Sequence, residues 1–159
     1  FTHDYDFKLL KAVIEVNQDQ RRQFIYKVRR ALGGDVAGKK IGILGLAFKN
    51  NTDDVRESAA VDIASWLIGA GADVRAYDPH AQGNAKVVIP ELVTCPSPQE
   101  VARGADAVLL LTEWAEFKDL PWEELKKNMR NPVVLDGRNL LDAKKMRALG
   151  FTYISVGRP

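Results

Sequence analysis

The feature that most constrains this chain is the run KIGILGLAF at residues 40–48, in which apolar positions follow one another without polar alternation. A strand with one wet face alternates, whereas a strand covered on both faces does not. The run therefore predicts a central parallel strand in an α/β fold, with helices packed on either side of the sheet. Comparable runs follow at 73–77, 92–94, 107–112, 132–136 and 151–155, and helical segments at 59–69, 97–103, 121–129 and 142–149 separate most of them. Right-handed crossovers then give a Rossmann-like, doubly wound sheet of about six strands in the order 3-2-1-4-5-6. Its switch point lies between the first and fourth strands, so a ligand is expected beyond the C-terminal ends of the first, fourth and fifth.

Upstream, residues 7–32 contain no Gly or Pro, and Phe7, Leu10, Val13, Ile14, Val16, Phe24, Ile25, Val28, Ala31 and Leu32 recur at roughly helical spacing. Gly33-Gly34 supplies the stop. The expected division is a long helix within 1–37 and a sheet unit at 38–159. The helix carries more apolar surface than a small sheet covers, so it is expected to mediate homodimerisation.

Composition enters mainly through what it excludes. With 23 Lys and Arg against 21 Asp and Glu, the net charge of +2 provides no global field to draw nucleic acid or an anionic membrane. No apolar run is long enough to span a bilayer, and the opening FTHDYDF does not read as a signal peptide. It lacks an initiator Met, and we expect a piece of a longer protein. The single Cys95 excludes an internal disulfide, and with only His3 and His80 there is no zinc spacing, so a reducing, cytoplasmic setting is expected.

The loop after the first strand, GLAFKNNTDDVRES, is the most informative segment. Gly42 and Gly45 stand without the third glycine of a dinucleotide fingerprint, so this crevice is not expected to bind NAD itself. Phe48 and Lys49 read either as a base-stacking ring beside a phosphate- or sugar-binding ammonium, or as a core Phe and a solvated Lys. Asp53, Asp54, Arg56 and Glu57 read as a loop tied by its own ion pairs and by an N-cap at Ser58, with a ligand role equally open for Arg56. No metal is expected, because adjacent carboxylates point apart. Asp78 reads as a turn former with Pro79, and Cys95 as an inert thiol.

Thr112, Glu113 and Trp114 sit at the switch point. Each can contact a ligand, or Thr112 can cap the next short helix while Trp114 packs in the core. After the fifth strand, Gly137 is expected to turn the backbone and place Arg138 at the rim. There its forked donors can hold a phosphate or a base edge, or pair with Asp136 or Asp142.

The segments GLAFKNNTDDVRES, GADVRAYDP, TEWAEF, DGRNLLD and GFTYISVGR, in this order, resemble the C-terminal domain of the UDP-glucose/GDP-mannose dehydrogenase family. The similarity runs from about residue 7 to 158, and the first helix, with VNQDQ, is similar to the family's interdomain and dimer-forming helix. LAFK and TEW with DGRN look most like the UDP-glucose branch; the same domain of a UDP-N-acetylhexosamine or GDP-mannose enzyme, or a non-catalytic nucleotide-binding module, is the alternative. The resemblance implies that Phe48 and Lys49 contact the UDP part of a UDP-sugar, Arg138 the uridine side, and that Arg56 reaches NAD held by a separate N-terminal domain. It implies no catalytic residue here, because the family's nucleophilic cysteine belongs to a GGSCFPKD-like segment that this sequence does not contain.

Overall fold

The computed structural model describes residues 7–157; the first six residues, and the final Arg158 of the GFTYISVGR motif, lie outside the described residues. Helix α1 (Lys8–Ala31) leads into β1 (Lys40–Leu44), α2 (Ala59–Gly69), β2 (Asp73–Tyr77), α3 (Gln82–Val88), β3 (Val93–Thr94), α4 (Pro98–Ala102) and β4 (Ala107–Leu110). A 3-10 turn (Ala115–Phe117), α5 (Trp122–Asn128), β5 (Val133–Asp136), α6 (Ala143–Ala148) and β6 (Thr152–Ser155) complete the order. The sheet runs β3-β2-β1-β4-β5-β6 with every neighbouring pair parallel, which is the order the crossover rule predicts.

Ile41, Ile43, Leu44 and all of β4 are buried, as unalternated strands require. Side-chain oxygens cap three of the crossover helices: Ser58, the expected N-cap, for α2, and Ser97 and Asp142, the first residues of the segments expected at 97–103 and 142–149, for α4 and α6 accept from the N–H groups of Val61, Glu100 and Lys145.

β1 stops earlier than the apolar run suggests. Gly45 takes φ +95°, and a Cβ there would stand 2.5 Å from Thr112 Cβ. Residues 45–48 therefore leave the strand and cross the end of β4. The expected turn former Gly137 is not at positive φ; Asn139 is, at 53°. Asn139 then exchanges two hydrogen bonds with the Val156 backbone, tying the loop after β5 to the end of β6.

Helix α3 has no counterpart in the sequence reading. It contains Gly83 and begins after Ala81, whose side chain cannot cap, so the usual start signal is missing. It nonetheless braces the first loop, since Asn84 Nδ2 donates to the Asp53 carbonyl at 2.9 Å.

Helix α1 buries only Phe24 and Val28. Lys27 Nζ donates to the Ser155 carbonyl at 2.8 Å, and Arg21 pairs with Asp62 and donates to the Glu57 carbonyl, so this half of the helix is fastened across the C-terminal end of the sheet. Leu9, Leu10, Val13, Ile14 and Val16, toward the other end, are exposed. Among the described residues no helix is long and apolar enough to cross a membrane.

Candidate functional site

The strand ends and α1 enclose a cleft of ≈ 410 Å³ at the switch point, a size suited to a small organic ligand. Phe24, Ile63, Leu111, Gly137 and Val156 give it an apolar lining, Asn17, Gln20 and Arg21 line it from α1, and Phe48 and Arg138 line it from the loops after β1 and β5. The structure thus brings together Phe48 and Arg138, which are 90 residues apart in sequence. The contribution of α1 was not visible in the sequence reading. Asn17, Gln20, Arg21 and Phe24 do fall on one helical face, at i, i+3, i+4 and i+7, and that periodicity could have exposed it.

Phe48 is 46% exposed, so the reading of it as a core residue fails. Lys49 follows it on the surface, outside the cleft lining; among the described residues no hydrogen-bond or ion-pair partner engages its ammonium.

Arg138 does not pair with Asp136 or Asp142 as a surface salt bridge. Its Nε donates to the Leu111 carbonyl at 2.9 Å and its Nη2 to the Phe48 carbonyl at 3.3 Å, so the guanidinium brackets the loops after β1 and β4. Glu113 Oε2 lies 3.2 Å from Nε, but that N–H is directed at Leu111, and the contact is coulombic without being a hydrogen bond. Asp136 instead shapes the loop that carries Arg138. Its buried carboxylate accepts from the N–H groups of Arg138 and Leu141 and from the Tyr153 hydroxyl.

Thr112 does not cap the 3-10 turn; Trp114 holds that position, and the Thr112 hydroxyl donates to the Ala47 carbonyl at 2.8 Å. Trp114 is buried, as core packing requires, and its indole N–H is directed to Asp78. Asp78 itself forms the expected turn, accepting from His80 and Ala81 N–H, and in addition takes the N–H groups of Leu46 and Ala47.

Arg56 stands in the exposed loop ahead of α2, its side chain 88% exposed, and forms a two-pronged pair with Asp54. The Arg56 side-chain and backbone N–H donors hold the Asp54 carboxyl down to about 2, and the same pair raises the Arg56 guanidinium above its ordinary value. This is the self-tied loop anticipated for these residues. Cys95 is buried, and burial raises its thiol above the usual range, which keeps it protonated and unreactive near neutral pH. Among the described residues no group of three or more His, Cys, Asp or Glu could hold a metal ion.

The β1 turn does not fit a dinucleotide. The Leu46 and Ala47 N–H groups, which would face a pyrophosphate, are taken by Asp78, and the N-terminus of α2 lies beyond a fourteen-residue connection, 45–58, closed by Ser58.

Comparison with known proteins agrees with this geometry. Residues 42–143 match the model of the UDP-glucose/GDP-mannose dehydrogenase family, UDP binding domain. The chain is 41% identical over 157 residues to UDP-glucose 6-dehydrogenase of Rhizobium meliloti (strain 1021), covering 99% of this chain and 36% of that protein. It is 44% identical over 156 residues to UDP-glucose 6-dehydrogenase YwqF of Bacillus subtilis (strain 168), covering 98% and 35%. The solved structure of a UDP-glucose dehydrogenase from Pyrobaculum islandicum superposes with a TM-score of 0.76 at 35% identity, covering 91% of this chain and 31% of that one. The chain thus spans about a third of the length of the relatives it matches. With the expected strand order, a switch-point cleft and a family model matching from Gly42 to Ala143, the chain belongs to the UDP-glucose/GDP-mannose dehydrogenase family and carries its UDP-binding domain.

Proposed function

We propose that this chain is the UDP-sugar-binding part of an NAD-dependent UDP-glucose 6-dehydrogenase, which oxidises UDP-glucose to UDP-glucuronate with two NAD. The observation that carries the proposal is the convergence of Phe48 and Arg138 on one cleft at the switch point, with exposed Lys49 next to Phe48 in sequence. In this reading Phe48 shapes the uridine pocket, Arg138 holds the uridine side and Lys49 neutralises the diphosphate. A nucleoside diphosphate matches the cleft in kind, since it offers a flat base to an aromatic ring and charged oxygens to a cation.

The hydride acceptor belongs elsewhere. NAD would be held mainly by a separate domain, with Arg56 reaching toward it from its exposed loop. The chain contributes no nucleophile, because Cys95 is buried away from the cleft lining, so it is inactive alone. Helix α1 serves as interdomain and dimer helix and the sheet unit that follows it as the binding unit, in a cytoplasmic homodimer with no nucleic-acid or membrane partner.

Amide-shift mapping tests this reading. Adding UDP should move the resonances of residues 45–49 and 137–139, and adding NAD should not. Shifts centred on His80, or equal responses to the two ligands, would contradict it.

A further inference from the structure

A dinucleotide fold places an acid at the end of its second strand to hold a ribose. Asp78 occupies that place, directly after β2, yet it is only 2% exposed. Its Oδ2 accepts from Leu46 N–H at 2.7 Å, Ala47 N–H at 3.0 Å and the Trp114 indole N–H at 3.0 Å. Its Oδ1 accepts from His80 N–H at 2.9 Å and Ala81 N–H at 2.8 Å. A carboxylate offers roughly four lone-pair sites, so five N–H donors leave it nothing for a ribose hydroxyl.

Leu46 and Ala47 immediately precede Phe48 and Lys49. The remaining polar backbone atoms of residues 46–48 are also engaged. The Leu46 carbonyl accepts from the Ser58 hydroxyl, the Ala47 carbonyl from Thr112 and the Phe48 carbonyl from Arg138, while Phe48 N–H donates to the Asp54 carbonyl. Among these anchors Asp78 is the charged and buried one, and it alone takes two consecutive N–H groups of the loop. Through Trp114 it also ties that loop to the one after β4.

We propose that Asp78 is the positioning residue of the nucleotide site: its carboxylate sets the backbone from which Phe48 and Lys49 project. The proposal rests on the UDP reading given above. The acid of the dinucleotide fold is retained in place and turned inward, so that it organises a ligand loop and touches no ligand.

The test uses Asp78→Asn, which preserves shape but sets an amide NH₂ against N–H donors, and Trp114→Phe, which removes one donor and keeps a ring. Charge-assisted bonds of this kind correspond to about a ten- to hundredfold change in an equilibrium, so Asp78→Asn should weaken UDP binding by about tenfold or more. The Leu46 and Ala47 amides should exchange faster with solvent in both variants. Positioning also predicts coupling: Lys49→Ala should weaken UDP binding about tenfold in the wild-type background and less than about threefold in Asp78→Asn, a non-additivity that double-mutant cycles resolve. A purely global destabilisation would leave the Lys49 penalty intact and would overturn the proposal, as would UDP binding by Asp78→Asn within twofold of wild type. If Asp78→Asn does not fold, unchanged exchange at Leu46 and Ala47 in Trp114→Phe overturns it. If the wild-type chain binds no UDP, the UDP reading fails, and the exchange measurement still decides whether Asp78 orders the loop.

Discussion

Arg138 reaches Phe48 across the end of β4, its Nη2 donating to the Phe48 carbonyl at 3.3 Å while its Nε donates to Leu111 at 2.9 Å. One side chain therefore fastens two loops and faces the cleft they form. A lysine keeps the charge but lacks the fork. Arg138→Lys is expected to weaken UDP binding nearly as much as Arg138→Ala, by about tenfold. Full retention of affinity in the lysine variant, measured by calorimetry, would mean that charge alone matters here.

Gly45 is the position where the chain turns off the sheet. Any side chain there meets a positive φ and the Thr112 Cβ at 2.5 Å. Overpacking together with a left-handed backbone predicts a loss of about 2 to 5 kcal/mol for Gly45→Ala. Denaturant unfolding measures it, and a change below about 0.5 kcal/mol, the range of an inert surface substitution, would contradict the assigned turn.

The Arg56–Asp54 pair defines a pH window. The folded carboxyl is depressed to about 2 from 3.8, so whatever the pair contributes is fully present above pH 3.8 and is lost as pH falls toward 2. At physiological pH it is constant. Carbon-detected titration of the Asp54 carboxyl should give a midpoint well under 3.8, and Arg56→Ala should raise it toward that value, with the backbone N–H of residue 56 retaining part of the depression; a normal midpoint in the parent chain would show the pair to be open in solution.

Cys95 is buried and its thiol is raised by that burial. Ellman's reagent at pH 8 should label it slowly in the folded chain and completely after unfolding. Rapid labelling of the native protein would reopen a chemical role for this residue.

The exposed apolar positions of α1, Leu10 and Ile14 among them, lie one turn apart on one face. In a homodimer they are covered, and Leu10→Glu with Ile14→Glu should dissociate it. Light scattering should give twice the chain mass for wild type at micromolar concentration and the chain mass for the variant; a monomeric wild type would contradict the dimer.

The sheet was legible because its physics is local and redundant: unalternated strands, Ser58, Ser97 and Asp142 as caps, and one permitted crossover hand. The same signals did not reach α3, which starts after Ala81 without a cap, nor the end of β1, where a glycine inside an apolar run gives no sign that the chain leaves the sheet. Phe48, Lys49 and Arg138 could be named from motif and strand end. Their local readings still left both a structural and a ligand role open, because exposure and partners depend on contacts between distant loops. For the same reason Asp78 read as half of what it is: the turn with His80 and Ala81 is local, whereas its bonds to Leu46, Ala47 and Trp114 span more than thirty residues of sequence.

Titrating UDP into the wild-type chain, Lys49→Ala, Arg138→Ala and a control at Lys144→Ala, under one salt condition, tests the central claim most directly. Losing one charge-assisted contact predicts about a ten- to hundredfold weaker affinity for Lys49→Ala and Arg138→Ala and an unchanged one for the control on α6. Equal affinity in all four proteins would contradict the account and place the ligand in another crevice.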